Sequence, residues 1–95
     1  MSVEGQQSSD SIDSFIAVRE KDAAFSEATK IIFVGQTAYE GVDNGMVSSY
    51  GIIVKKGGNI IELVLDTGNL DGLAKNKAAL TATEKLILSS FQFTN

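Results

Sequence analysis

Two apolar runs, residues 46–54 and 60–65, flank Lys56-Gly57-Gly58-Asn59 near the middle of the chain. Gly-Gly between β-branched runs predicts a tight hairpin, because primed turns need positive φ at low steric cost. In the second arm Ile61, Leu63 and Leu65 share one face, while Ile60, Glu62, Val64 and Asp66 share the other. The mixed polarity of that second face predicts a sheet covered fully on one side and partly on the other, with this hairpin at its middle. Upstream, Lys30-Ile31-Ile32-Phe33-Val34 is a continuous β-rich run broken by Gly35-Gln36, and an extended pattern resumes over 37–42. Asn44-Gly45 suits a type I′ turn into the central hairpin. The predicted strands are therefore 30–34, 37–42, 46–56 and 59–66, in antiparallel meander order.

Helical spacing appears on both sides of this block. Ile12, Phe15, Ile16 and Ala23 fall at i, i+3, i+4 and i+11, an apolar stripe that predicts a helix from Asp10 to near Ala24. Ser9, Asp10 and Ser11 are all able N-caps, Asp13 suits the first turn, and Arg19, Glu20, Lys21 and Asp22 occupy the remaining positions. Thr81-Ala82-Thr83-Glu84 is a capping-box pattern ahead of an apolar run, so a final helix is predicted over 82–90 with Ile87, Leu88 and Phe91 on one face. Between them, 67–80 reads as a Gly- and Asn-rich loop with one helical turn. Residues 1–9 read as a polar arm or short edge strand, and 92–95 as a closing strand or tail. Helices at both ends of a run of antiparallel strands give an α+β fold, a single domain over 10–95. Ile53, Leu63, Ile87 and Phe91 are the expected core, and Glu62 is expected to be exposed or at an edge.

Composition narrows the chemistry. The 95 residues are 43% hydrophobic with seven aromatics, enough for one small core. A net charge of −4 with eight scattered basic residues argues against nucleic acid or an anionic membrane surface as partner. No apolar run approaches the ~20 residues that span a bilayer. The opening residues lack a basic region followed by an apolar stretch, so no signal peptide is expected in this chain.

Cys, His, Trp and Pro are all absent. Without His or Cys, the ordinary acid–base and nucleophilic arrangements are missing. A Ser–Lys dyad or a carboxylate pair remains. Lys85 and Ser89 are i, i+4 on the last predicted helix, but an exposed lysine beside a helix-surface serine is the plainer reading. Glu62 and Asp66 share a strand face four residues apart, and solvated sheet-surface positions are the plainer reading there too. The run from Asp66 to Gly72 looks like a calcium loop, yet setting Gly72 at the sixth position puts Thr67 first and Ala78 twelfth, where Asp and Glu are needed. A polar connecting loop explains it better, and no metal or cofactor is expected. The glycines form no phosphate-binding pattern. Tyr39 and Tyr50 read either as a binding patch on facing strands or as hydrogen-bonded sheet tyrosines.

A longer pattern joins these pieces. Gly35-Gln36-Thr37-Ala38-Tyr39, then Gly51-Ile52-Ile53-Val54-Lys55-Lys56-Gly57, then the run 60–65 and a closing Ile87-Leu88-Ser89-Ser90-Phe91-Gln92-Phe93 occur in that order. Together with the first helix they resemble a PsbP-like domain over residues 10–93, the family of the extrinsic oxygen-evolving-complex protein and of bacterial secreted and lipoprotein relatives. The resemblance implies an antiparallel sheet between helices (an α/β/α sandwich), an extracytoplasmic setting and a non-catalytic role in docking on a larger assembly. It carries over no functional residues. Family domains open with a strand pair before the first helix, and here at most a short strand precedes Asp10.

The expectation is thus a non-enzymatic binding or accessory module acting on a protein partner, with a small-ligand carrier, its pocket between sheet and helix, as the alternative. Ile31, Phe33, Tyr39 and Tyr50 are the candidate interaction surface. The apolar run 31–34 at an unblunted sheet edge further predicts a homodimer through edge pairing.

Overall fold

The computed structural model describes residues 2–92. It is an α+β fold built on one five-stranded antiparallel sheet with helices on both faces. The elements are β1 (Ser2–Gln7), α1 (Ile12–Lys21), β2 (Phe25–Phe33), β3 (Gln36–Asn44), β4 (Ser48–Lys56), β5 (Asn59–Leu65), α2 (Leu73–Ala78) and α3 (Ala82–Ser90). Their sheet order is β1-β5-β4-β3-β2, so β2 to β5 form the expected meander and β4 lies at its centre. The polar arm is a strand: β1 pairs along β5 from Ser2↔Val64 to Gln7↔Asn59 and covers that edge. The outer side of β2 is the opposite edge. Because β1 and β2 sit at opposite edges, the intervening α1 has to cross one face of the sheet. Among the described residues no helix is long and apolar enough to cross a membrane.

Alternation along the strands sends one apolar set to each face. Ala38, Tyr50, Ile52, Val54, Leu63 and Leu65 form the larger core under α2 and α3, joined by Phe33 and Leu80. Phe25, Ile53 and Ile60 form the smaller core under α1, into which Ile16 inserts. Ser11 is the N-cap of α1, its hydroxyl accepting from the Ser14 amide at 3.1 Å. Thr81 and Glu84 close the expected capping box on α3.

Several expectations are corrected. Strand β2 begins at Phe25, five residues earlier than the apolar run, because a bulge between Ser26 and Thr29 breaks the alternation that would have marked it. The Asn44-Gly45 turn is not a two-residue one: Asn44 pairs with Ser48, leaving a three-residue loop. Asn44 works instead as an anchor, its Nδ2 donating to the Ser26 hydroxyl at 3.0 Å and its amide to the Ala24 carbonyl at 2.9 Å. The two-residue hairpins are 57–58, where Gly57 has φ +61, and 34–35, where Val34 and Gly35 both have positive φ. Ala23 lies beyond the end of α1 at φ +58 and is exposed, not part of the core stripe. Ile53 and Leu63 are fully buried, whereas Ile87 and Phe91 are half-buried. The expected closing strand lies largely outside the described residues, and Gln92 is not in a strand.

Candidate functional site

The helices after β5 are short, and how they attach decides the site. Asn76 of α2 is fully buried; its Nδ2 donates to the Leu70 and Gly72 carbonyls at 2.8 Å each and its Oδ1 accepts from the Thr67 hydroxyl. One amide side chain thereby folds the 66–72 loop against α2. The bulge in β2 completes the anchor: Glu27, at φ +55, turns its carboxylate to accept from the Leu73 amide at 2.8 Å, at the first turn of α2. Helix α3 is held less closely. It buries no residue fully and meets the core through Leu88, while Phe91 just beyond it stacks on Phe33 with ring centroids 5.6 Å apart.

A helix pair fixed at α2 and loosely applied at α3 leaves space beneath it. The result is a cleft of about 860 Å³ between α2–α3 and the β2–β3–β4 part of the sheet. Its walls are mainly apolar, with Ile31, Phe33, Ile52, Leu80 and Leu88 among them. On its floor the buried Glu40 carboxylate accepts from the Tyr50 hydroxyl at 2.8 Å and from the Lys77 ammonium at 3.0 Å. Burial, reinforced by the hydrogen bond and charge of Glu40, pushes the Tyr50 hydroxyl far above the usual phenol range, so it remains a donor at any physiological pH. Lys85 and Ser89 also line the cleft, and the Ser89 hydroxyl is turned to the Leu86 carbonyl at 3.0 Å.

Of the candidate interaction residues, Ile31, Phe33 and Tyr50 meet in this cleft. Tyr39 does not: it lies on the opposite face, its hydroxyl donating to Asp13 of α1 at 2.5 Å. That bond, helped by the nearby Lys30, holds the Asp13 carboxyl below its ordinary value, and the same bond raises the Tyr39 hydroxyl against the opposing pull of Lys30. The calcium-like loop spends its side chains internally, with Asp66 accepting from the Gly68 amide and Asn69 from the Ser48 amide. Among the described residues no cluster of three potential metal ligands occurs.

The α1 face carries a second polar cluster that hydropathy hid. Glu62 is buried, 7% exposed, not solvated as its alternation with Asp66 suggested, because β1 pairs along the edge of β5 and Arg19 of α1 lies against this face. Arg19, at i+7 from Ile12 on the sheet-facing stripe of α1, donates to Glu62 at 3.0 Å and to Asp43 at 3.2 Å. Burial first, then the adjacent Asp43 carboxylate, pushes the Glu62 carboxyl up to about 7 against the opposing pull of Arg19. Glu62 Oε2 is buried with no hydrogen-bond donor, which two adjacent carboxylates relieve by sharing a proton. Arg19 reads from sequence as an ordinary surface charge, and only the pairing of strands brings Asp43 and Glu62 together.

Searches with this chain matched no family model, no curated protein and no solved structure.

Proposed function

We propose that this domain is a non-catalytic binding module of PsbP-like kind whose working site is the cleft between the sheet and α2–α3, and that it takes a small ligand there. The observation that carries this reading is the cleft itself. It is a groove of about 860 Å³ open to solvent along its length, and its mainly apolar wall with a few convergent polar groups has the usual composition of small-molecule sites. The polar groups in it argue for holding a ligand over transforming one. Glu40 is engaged by two donors and Tyr50 keeps its proton, so neither is free to act as a base. An extracytoplasmic setting follows from the resemblance alone.

The test is a ligand-induced rise in melting temperature, since binding to the native state alone stabilises it by mass action. Ala74 is exposed and lines the cleft, so Ala74→Trp fills the space from the helix side without disturbing the core. The expected result is that small apolar amphiphiles raise the melting temperature of the native chain and leave Ala74→Trp unmoved. Equal shifts in both proteins would place binding elsewhere.

One observation favours a second mode of association. Among the described residues no strand pairs with the outer backbone edge of β2, and Ile32 on it is 72% exposed, so two copies can pair edge to edge about a two-fold axis. Sedimentation over a concentration series reads this directly. Ile32→Lys should shift the chain to monomer, and an unchanged distribution would rule out pairing through β2.

A further inference from the structure

The charges around the cleft are unequal. Glu40 brings one carboxylate and Lys77 and Lys85 bring two ammonium groups. The carboxylate is consumed on its floor by Lys77 and Tyr50. Lys85, in the first turns of α3, has no ion pair among the described residues. The cleft therefore keeps one unspent positive charge beside an apolar wall, on a chain whose net charge is −4. A bound cation would meet Lys77 and Lys85 and find the one carboxylate already paired. A bound anion would meet an ammonium with no competing ion-pair partner among the described residues, at the rim of an open apolar groove where solvent screens part of the attraction.

We propose that the cleft selects an amphiphile with an anionic headgroup, its apolar tail against Ile31, Phe33, Ile52 and Leu88 and its carboxylate or equivalent anion on Lys85. This deepens the small-ligand reading above and rests on it. Orientation follows from placement: Lys85 is near the start of α3 and Leu88 lies one turn further on, so headgroup and tail can lie along the helix. A single charge contact on a flexible lysine stem adds selectivity more than total affinity, and the tail contributes most of the binding.

The experiment compares three probes with one tail, decanoate, decanol and decylamine, by calorimetric titration against the native chain, Lys85→Gln and Lys85→Glu. Lys85 is exposed and outside the core, so both variants should keep the native melting temperature. Decanoate is expected to bind several-fold tighter than decanol, and decylamine weaker than either. Lys85→Gln should bring decanoate to the level of decanol with decanol unchanged, and Lys85→Glu should reverse the order of decanoate and decylamine. Equal affinities for all three probes, or a decanoate preference that survives Lys85→Gln, would overturn the anionic selection and leave the cleft reading standing. Failure of all three probes to bind the folded native chain would overturn both.

Discussion

The Phe25 ring lies where a side chain on Gly41 would project: a Cβ there would meet ring atoms Cε2 and Cζ at 2.5 and 2.6 Å. Gly51 is the cross-strand partner of Gly41 and faces the same ring, its Cβ position 3.1 Å from Cε1. Two facing glycines leave a bare patch in β3 and β4, and the fully buried Phe25 fills it. The weakness of glycine in a strand, roughly 0.5–1 kcal/mol each, is offset by burying the ring, worth roughly 1.5–3 kcal/mol. Gly41→Ala should therefore lower stability by ~1–3 kcal/mol, since the Ser26 carbonyl, 2.8 Å from the same point, prevents relief by ring rotation alone. In a Phe25→Ala background the loss should shrink. Strict additivity of the two changes in a denaturation cycle would mean that the ring is not what excludes the side chain.

Glu62 gives the chain an unusual pH dependence. Its carboxyl stands at about 7 in the folded state against an ordinary value of 4.5. Between those values the folded chain holds a proton that the unfolded chain has lost, so the stabilisation is complete below 4.5 and disappears as pH rises through 7. The groups around it are Asp43, Arg19 and the cross-strand Glu4. Glu62→Gln mimics the protonated form, its amide able to donate to Asp43 and its oxygen to accept from Arg19. The variant should match the native chain at pH 4.5 and exceed it by ~1–3 kcal/mol at pH 8. Urea denaturation at both pH values measures this, and a variant that is less stable at pH 8 would contradict it.

How far the sequence revealed this molecule depended on which periodicity each segment kept. The central hairpin, the meander and the capping box on α3 were legible because their signals are local: Gly57, the alternation of Ile61, Leu63 and Leu65, and the Thr81–Glu84 spacing. The start of β2 was not, since Glu27 turns out of the strand and its reason for doing so, the first turn of α2, lies 46 residues away. The cleft was anticipated only as a pocket between sheet and helix. Tyr50 reads as a candidate surface residue, but its partner carries no signal: Glu40 pairs with Ile52 in register and meets the Tyr50 hydroxyl only diagonally across β3 and β4. Glu62 was misread for the same reason: alternation gives the face, but whether another element covers that face is a tertiary fact.

Val34 sits at φ +52 in the hairpin between β2 and β3, with Gly35 after it at φ +75. A β-branched residue is a poor fit to the left-handed region, whereas asparagine before glycine suits a turn with positive φ at both central positions. Val34 is 39% exposed, so little packing is lost on replacing it. Val34→Asn should raise stability by ~1 kcal/mol, visible as a higher midpoint in urea with an unchanged slope. A lower midpoint would show that the valine side chain contributes more on the surface than its backbone costs.

The same structure implies that α3 opens before the sheet does. Leu63 is fully buried in the larger core, and Leu63→Ala should cost ~2–5 kcal/mol through lost transfer energy and the cavity left behind. Leu88 only packs partly against that core, and α3 as a whole buries no residue fully, so its hydrogen bonds can break while the sheet stays intact. Native-state hydrogen exchange should therefore show α3 amides exchanging at a free energy at least ~2 kcal/mol below those of β4. Leu63→Ala should lower the β4 values by its full global cost and leave those of α3 nearly unchanged, because α3 opens by a local route. The consequence for binding is direct. A ligand seated on Leu88 stabilises the closed helix, so the α3 amides should gain protection when decanoate is added and the β4 amides should follow only as far as global stability rises. Equal exchange energies for α3 and β4 in the free chain would mean that the helix and the sheet unfold as one unit, and the cleft would then admit its ligand without any movement of α3.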